Sequence, residues 1–568
     1  MRIYNARALK SQKSALKIQK WAKKQMTLKF QRLKTLKIQK IKQRLEALKP
    51  YHFILVFLAL FVSNLRALTS FELHNIDKAH AQGYTGKGVN IAIVDTFFNT
   101  SHELLAGKFL EPPINNHYGS QNELRHGSHV AGIAVGAKTD EANYGVAYET
   151  KFLAYGNLGM DTNAQDFDKV LSQNYDIKVI NNSHTVFNPK FVEYAKQGIL
   201  IVYASANSAQ LSPTAAALHG VGSDDNLGAW LTVGNVNSNF ITRDTNGQLI
   251  VDAKAFGYNF SINSFEFNSN GSHLCFNASL YCVMAAGTEI KSASNESSIS
   301  YFAGMGTSQA APAVSGIAAL VAGKFPFLDG KQLADIITST ANKDFKAPKM
   351  IILYNRKQQG YTIYIDTPIP KKSDGSVDND KVLADIKALY EKTTEDMSNN
   401  IVIQATKEEV FGQGIVDAIK ALKGLAVIDI NRLKQTDTQN YTGKEYAFYT
   451  LDTKGHNALF ENDIEQKKWD NKYHNANVVT LIGATMSKLD AGLIKTGAGT
   501  LSISGNLNYL GDTIVENGEL RLLGKGGVIK ARMMSENSAQ NVNPPPPQLV
   551  SFQQHQIRPK FHAKIQTL

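Results

Sequence analysis

The 568-residue chain has few cysteines, few tryptophans and no apolar run long enough to cross a membrane comfortably. Its two cysteines, Cys275 and Cys282, stand in "CFNASLYC" with no histidine or further cysteine at ligand spacing, which argues against a metal centre there. The apolar stretch "FILVFLALFV" at 53–62 has ten residues, about half of what a membrane-spanning helix needs. These absences argue against a metal centre at the cysteines and against a comfortable membrane span. Because 43% of its residues are hydrophobic, we expect the chain to be globular with a large core.

Acidic residues are nearly missing from the first fifty positions. Residues 1–50 hold 16 lysines and arginines against the single acid Glu46, a net charge of +15, so the rest of a chain that totals +12 carries −3. The basic segment repeats "LKIQK" at 16–20 and 36–40 and could form a basic amphipathic helix, a type that binds membranes or nucleic acid. We expect no nucleic-acid partner, because a signal-like apolar core follows the basic block.

The segment 1–67 is typical of an extended basic signal peptide. Its apolar core 53–62 has the length of a signal core, and "SNLRALTS" places the small Ala67 where a signal peptidase cuts. An uncleaved anchor, or a true start at Met26, is the alternative. In an exported protein Cys275 and Cys282 are expected to form a disulfide.

Polar residues end three predicted strands in the next part of the chain. The run 89–94 stops at Asp95, "YDIKVINNS" ends at 181–183, and "GILIVYASAN" ends at Asn207. Helical patterns separate these runs, so we predict an α/β fold with a doubly wound parallel sheet. Ligands bind beyond the carboxyl ends of such strands, where Asp95, Ser183 and Asn207 fall. Loops begin there too, so each residue taken singly is also explained as a strand terminator.

Two further motifs supply a histidine and a serine. "HGSHVAGIAVG" opens with His126 and continues with small residues that let a helix pack closely against a sheet. "GMGTSQAAPAVSGIAAL" places Ser308 where a glycine-marked segment becomes a helical pattern. Taken alone, Ser308 is better explained as a helix cap and His126 as a structural residue. Together with Asp95 they follow the chain order Asp, His, Ser that subtilisin uses for its triad.

These motifs resemble those of the subtilisin-like serine proteases, the peptidase S8 family. "IAIVDTFFNTSHELL", "HGSHVAGI", "YASAN" and "GTSQAAPAVSGIAAL" match the family's Asp, His, oxyanion-Asn and Ser motifs, within a resemblance that covers about 75–425. The resemblance implies a subtilisin-like sheet and a serine endopeptidase that cleaves protein or peptide substrates through an acyl-enzyme. It implies no cofactor and no catalytic metal, and leaves structural calcium open.

The resemblance assigns a role to each site residue. Asp95, His126 and Ser308 would form the catalytic triad, Asn207 would be the oxyanion donor, and Ser183 would bind substrate at the end of its strand. A helix N-terminus suits Ser308, because its own N–H and the helix dipole stabilise a developing oxyanion. We expect Pro312 to lie so early in that helix that it removes an N–H without a partner.

Several positions depart from the family's pattern, among them the "TFF" after Asp95, which lacks the frequent glycine. His184 and the two residues after it replace a leucine and glycines that line the pocket for the substrate side chain, so specificity is not carried over. Ala206 stands where glycine is common, and Gln309 where the residue is usually apolar.

The sequence beyond the triad motifs divides into further predicted regions. Within a peptidase domain at 68–427, residues near 344–410 read as a surface insertion with one short helix. Residues 428–535 are predicted to be β-helix-like, because "KTGAGTLSISGNLNYLGDTIVENGELRLLG" resembles the autotransporter-associated repeat; an ordinary β-hairpin is the alternative. The Pro-rich tail 536–568 is predicted to be disordered.

The leading interpretation is an exported serine endopeptidase related to autotransporters, secreted or held at the surface or in the periplasm of a Gram-negative bacterium. The resemblance allows the outer membrane as a partner, although the sequence shows no strand pattern of a barrel. The alternative from a different class is a non-catalytic adhesin or stalk protein that keeps the protease fold as a scaffold. The intact Asp95, His126 and Ser308 favour the enzyme.

Overall fold

The computed structural model describes residues 66–115, 120–139, 144–156, 175–219, 228–256, 271–354, 360–389, 400–441, 443–474, 479–523, 530–533 and 550–551. Residues 1–65 of the predicted signal peptide, its apolar core included, lie outside these ranges, as does most of the predicted tail. The described helices are α1 Ser70–Leu73, α2 Ile76–Ala81, α3 Gln121–Val135, α4 Lys190–Lys196, α5 Thr307–Lys324, α6 Gly330–Thr340, α7 Asn379–Leu389, α8 Lys407–Phe411, α9 Ala418–Ala421 and α10 Ala484–Met486. The described strands are β1 Asn90–Asp95, β2 Ile114–Asn115, β3 Lys151–Gly156, β4 Ile177–Asn182, β5 Leu200–Ala204, β6 Trp230–Val236, β7 Ile241–Arg243, β8 Leu249–Val251, β9 Cys282–Ala286, β10 Ile290–Ala293, β11 Tyr301–Gly304, β12 Phe345–Lys346, β13 Met350–Tyr354, β14 Gly360–Ile365, β15 Ile401–Ala405, β16 Val427–Asp429, β17 Thr438–Tyr441, β18 Lys444–Asp452, β19 Ala458–Phe460, β20 Glu465–Lys467, β21 Asp490–Thr496, β22 Thr500–Ile503, β23 Thr513–Val515, β24 Glu519–Leu522, β25 Lys530–Met533 and β26 Val550–Ser551.

A seven-stranded parallel sheet organises the first part of the fold. Its strand order is β2-β3-β1-β4-β5-β6-β9, and all six pairings are parallel. Strands β1, β5, β6 and β9 are buried along almost their whole length, as expected for a parallel sheet that is covered on both faces. This sheet is the predicted doubly wound α/β fold. Because β1, β4 and β5 are neighbours, the residues that follow their carboxyl ends meet at one edge.

Helix α5 is buried along almost its whole length. Residues 307–322 are all buried, and the helix packs on α3 and on strands β4, β5, β6 and β9. Glycines make these contacts close: a Cβ added at Gly316 would lie 2.5 Å from Val146 Cβ, and one at Gly132 of α3 would lie 2.2 Å from Ser292 Oγ. These glycines therefore let α5 lie close to α3 and to Val146, and let α3 lie close to β10.

The region near 344–410 contains more regular structure than the sequence analysis predicts. Strands β13, β14 and β15 form a three-stranded sheet, and α7 is the predicted helix. Met350, Ile363 and Tyr364 of this sheet are buried in the same apolar cluster as Met284 of β9. The segment is thus in part a structural layer, because consecutive apolar and aromatic residues, which point to opposite faces of a strand, are buried along β13 and β14.

The C-terminal part of the chain is a parallel β-solenoid. Strands β18, β21, β23 and β25 stack in parallel along one face, and β19, β22 and β24 stack along another. Asn517 and Gly518 turn the chain between β23 and β24, but these strands belong to different sheets and do not form a hairpin. Val550–Ser551 pairs antiparallel with β25. The predicted disorder of the tail 536–568 stays a prediction.

The solenoid and the main sheet share one core. Phe460 of β19 packs edge-to-face on Phe325, with the ring centres 5.1 Å apart, and Gln332 Nε2 of α6 donates to Thr450 O of β18 at 3.1 Å. The described residues within Ala67–Thr242 and Asn246–Leu568 belong to one compact unit. The predicted boundary at 428 stays a prediction. In the described part of the chain, no helix combines the length and apolar character that crossing a membrane requires.

Candidate active site

Asp95 and His126 form the first element of the site. Asp95 is the last residue of β1 and is fully buried. His126 Nδ1 lies 2.7 Å from Asp95 Oδ1, and the Thr96 N–H donates to the same oxygen at 2.8 Å. His126 is the sixth residue of α3, which begins earlier than the motif suggests because Ser120 and Glu123 form a capping box at its start.

Burial and neighbouring charge shift the pKa values of Asp95 and His126 in opposite directions. Burial alone would raise the pKa of Asp95, but the imidazoles of His126 and His184 outweigh it and hold the pKa well below its usual range. Burial alone would lower the pKa of His126, but the Asp95 carboxylate outweighs it and raises the pKa above its usual value. The carboxylate therefore stays ionised and stabilises the charged imidazole, as a proton-accepting histidine requires.

His184 is a third member of this group, and sequence reasoning did not assign it a role. Its Nε2 lies 3.2 Å from Asp95 Oδ1, and its ring centre is 4.9 Å from that of His126. The Asn182 amide holds the loop by donating to His184 O and to Val186 O, each at 3.3 Å. The sequence signal that could have indicated a role for His184 was its position directly after Ser183, at the end of β4, the strand beside β1.

Ser308 and Ser183 are joined by two reciprocal hydrogen bonds. Ser308 is the second residue of α5, and its hydroxyl donates to Ser183 O at 2.9 Å. The Ser183 hydroxyl donates back to Ser308 O at 2.9 Å. That carbonyl needs a donor because Pro312, which lies inside the helix, cannot supply the usual backbone N–H. The expectation that Pro312 removes an otherwise unpartnered N–H was therefore wrong, since the helix begins too far upstream.

Ser308 and His126 belong to two separate hydrogen-bonded pairs. Among the described contacts, no hydrogen bond links Ser308 Oγ with His126. The structure thus joins Asp95 to His126 and Ser308 to Ser183, at one edge of the sheet. Nucleophile and base are often more loosely arranged in a ligand-free protease than in its substrate complex.

Asn207 is fixed beside the N-terminus of α5. Its Oδ1 accepts from the Thr307 N–H at 2.9 Å and from the Thr307 hydroxyl at 3.0 Å. Gly306 has φ +140°, and a Cβ added to it would lie 3.1 Å from Asn207 Nδ2. Ala206 has φ +102°, a conformation that strains any residue with a side chain, which explains why glycine suits this position.

The cysteines lie away from these residues. Cys275 and Cys282 are bonded to each other, with their Cα atoms 5.6 Å apart, and both are buried.

Gln309, the other departure in the serine motif, is buried with its Nε2 3.5 Å from His129 Nδ1.

Comparisons with known proteins agree with this geometry. The profile of the Subtilase family matches residues 86–375, and that of the Passenger-associated-transport-repeat matches 493–522. An extracellular serine protease of Serratia marcescens is 24% identical over 544 residues, which cover 82% of this chain and 44% of that protein. Subtilisin E of Bacillus subtilis (strain 168) is 29% identical over 277 residues, which cover 46% of this chain and 62% of subtilisin E.

The chain spans less than half the length of the Serratia protein and less than two thirds of subtilisin E. The subtilase profile, however, covers more than half of the chain's 568 residues. With the parallel sheet, the buried helix behind Ser308 and the Asp95–His126 pair, this match establishes the relationship. The chain belongs to the subtilase family.

Proposed function

We propose that this chain is an exported serine endopeptidase with Asp95, His126 and Ser308 as its catalytic triad. The observation that carries the proposal is the 2.7 Å hydrogen bond between His126 Nδ1 and the buried Asp95 carboxylate. It fixes the tautomer of His126, so that Nε2 is the nitrogen left to accept a proton. Ser308 lies at the N-terminus of a buried helix, where negative charge is stabilised.

The chemistry begins with a change of partner at Ser308. Its hydroxyl turns from Ser183 O to His126 Nε2, which removes the proton as Oγ attacks the substrate carbonyl carbon. His126 then gives this proton to the departing amine nitrogen, which leaves an acyl-enzyme on Ser308. Water attacks the ester by the same route and frees the serine. Asp95 stays ionised throughout and stabilises the charged His126.

Two donors would bind the negative oxygen of the intermediate. One is the backbone N–H of Ser308, and the other is Nδ2 of Asn207, whose amide Thr307 orients through its contacts with Oδ1. Ser183 directly follows β4, the strand along which an extended peptide would lie, and its hydrogen bond to Ser308 O holds the end of that strand against α5.

The comparisons also support a location and a substrate class, which are part of the proposal. The Passenger-associated-transport-repeat match and the extracellular Serratia relative support a protein that is exported or displayed at the cell surface. Subtilase membership supports protein or peptide substrates. The secretory route and a Gram-negative host remain proposals that rest on the same comparisons.

A peptide-hydrolysis assay tests the proposal. The purified protein should cleave a mixture of fluorogenic peptides, and Ser308→Ala should abolish turnover. Asn207→Ala should lower kcat on the order of 10²–10³-fold with KM nearly unchanged; this magnitude comes from subtilisin itself, where the oxyanion asparagine was measured. If Ser308→Ala retained full turnover, the triad assignment would be wrong.

One observation favours a second candidate. Because Ser308 donates to Ser183 O and not to His126, the chain could be a non-catalytic adhesin or stalk protein that keeps the protease fold as a scaffold. The solenoid, which shares a core with the protease part, would then be the functional surface. Absence of turnover in a folded wild-type protein would favour this candidate.

A further inference from the structure

Asp95, His126 and His184 bring three metal-ligand atoms to one point. One ligand atom from each side chain lies within 4.8 Å of the others. Both imidazole nitrogens face the same carboxylate oxygen, with His126 Nδ1 at 2.7 Å and His184 Nε2 at 3.2 Å from Asp95 Oδ1. In a tetrahedral zinc site with bonds of about 2.0–2.1 Å, neighbouring ligand atoms are about 3.3 Å apart. Small side-chain adjustments would therefore suffice to place a zinc ion among the three.

The free side of the carboxylate points to the same conclusion. Asp95 is fully buried, and in the described part of the chain its Oδ2 has no hydrogen-bond partner. The oxygen without a partner is Oδ2, whereas the two imidazoles face Oδ1. A buried carboxylate with an unpartnered oxygen is costly to maintain, and a cation bound to it would lower that cost because both oxygens share the negative charge. The side chains of His126 and His184 are 24% and 21% exposed, so the site can be reached from solvent.

We propose that Asp95, His126 and His184 form a binding site for a divalent transition metal of the zinc class, which inhibits the enzyme reversibly. Two imidazoles and one carboxylate are a common zinc ligand set, with water as the fourth ligand. His184 distinguishes this site from an ordinary triad, because Asp95 and His126 alone offer too few ligands. The sequence analysis predicts no metal site, since it could not place His184 beside Asp95.

Inhibition follows from the tautomer of His126, and this part rests on the proposed function. A metal ion on Nδ1 takes the place of the proton that Nδ1 now shares with Asp95, and the neutral ring carries its proton on Nε2. Nε2 can then no longer accept a proton from Ser308. In serine proteases, a triad histidine in the wrong tautomer loses about 10⁴ in rate.

Metal binding is tested first, without reference to activity. Full-length Ser308→Ala protein is titrated with Zn²⁺ by calorimetry and with Co²⁺ by visible absorption, which reports tetrahedral coordination. One ion should bind, and His184→Phe, which keeps an aromatic ring against His126, should weaken binding at least tenfold. His456→Phe, a matched change at an exposed histidine, should not. Equal binding by the His184→Phe protein, or no binding by the Ser308→Ala protein, would overturn the site.

Inhibition is tested second, on the active protein. If the dissociation constant is about 10 μM, about 100 μM Zn²⁺ should reduce peptide turnover about tenfold, and a chelator should restore it. The ratio of rates with and without Zn²⁺ is compared within each variant, because His184→Phe can change the basal rate. That ratio should fall tenfold in wild type and His456→Phe, and stay near one in His184→Phe. Inhibition that persists in His184→Phe would refute the mechanism, whereas metal binding to a protein without turnover would refute only the proposed function.

Discussion

Arg432→Met should destabilise the protein strongly, although Arg432 lies after the predicted peptidase domain. The guanidinium is 4% exposed, its Nε donates to Asp335 Oδ1 of α6, and its Nη2 donates to Gly228 O at 2.7 Å. Asp335 is 5% exposed, and its other ion-pair partner is Lys331 Nζ at 2.7 Å. The arginine therefore ties the start of the solenoid segment to the helix behind the main sheet.

The magnitude follows from what the substitution leaves behind. Removing one partner of a buried ion pair costs about 3–5 kcal/mol, because the remaining charge is buried without compensation. Asp335 keeps Lys331, whose side chain is 23% exposed, so the lower part of that range applies to the ion pair. The Gly228 carbonyl also loses its donor, which costs about 1 kcal/mol more. We expect a loss of about 3–4 kcal/mol in the free energy of unfolding at pH 7.

The assay is chemical denaturation of the Ser308→Ala protein, followed by circular dichroism, with and without Arg432→Met. A double variant, Asp335→Leu with Arg432→Met, should recover most of the loss, because an apolar pair leaves no buried charge. Burial alone would raise the pKa of Asp335, but Lys331 and Arg432 outweigh it and hold the pKa below its usual value. The stabilisation is therefore present above about pH 4 and falls as the pH drops through the folded-state pKa, so the difference between proteins should shrink in acid. A loss below about 1 kcal/mol at pH 7, or a double variant as unstable as the single one, would refute the reasoning.

Three further outcomes are expected. Ala206→Gly should relieve the backbone strain at φ +102° and raise Tm by about 2 °C in a thermal melt, and an unchanged or lower Tm would contradict the strain. The Asp95 carboxylate raises the pKa of His126 despite its burial, so the acid limb of kcat/KM should have its midpoint above the ordinary histidine value. In Asp95→Asn that midpoint should move to lower pH, and no movement would sink the assignment. Phe460→Ala should cost about 3–5 kcal/mol in denaturation, whereas a near-neutral effect would mean that the solenoid is not part of the core.

The strand ends were predictable from the sequence, and the helix starts were less so. Apolar β-rich runs that stop at a polar residue mark the carboxyl ends of buried parallel strands, so Asp95 and Ser183 could be placed at one sheet edge. The start of α3 was missed, although Ser120 and Glu123 carry the spacing of a capping box. The role of Pro312 was predicted wrongly because it depends on the first residue of α5. Gly306 alone did not define that residue in the sequence.

Contacts between distant segments could not be predicted. The orientation of the His184 side chain depends on a loop that Asn182 holds by two hydrogen bonds. Such a loop has no periodic sequence pattern from which it could be predicted. The first rung of the solenoid, β18 and β19, lies outside the repeat match at 493–522; it stacks on the next rung and also contacts the protease part through Phe460 and Phe325. The strands β13 and β14 were missed together with their burial, although their sequences contain β-branched and aromatic residues.

Covalent labelling by a fluorophosphonate probe shows whether Ser308 is an activated nucleophile. The probe phosphonylates a serine only when a neighbouring base and an oxyanion site activate it. We expect wild type to gain one adduct in the intact-mass spectrum, which peptide mapping places on Ser308, and Ser308→Ala and His126→Ala to gain none. Labelling of the Ser308→Ala protein to the same extent, or no labelling of a folded wild-type protein, would contradict the account.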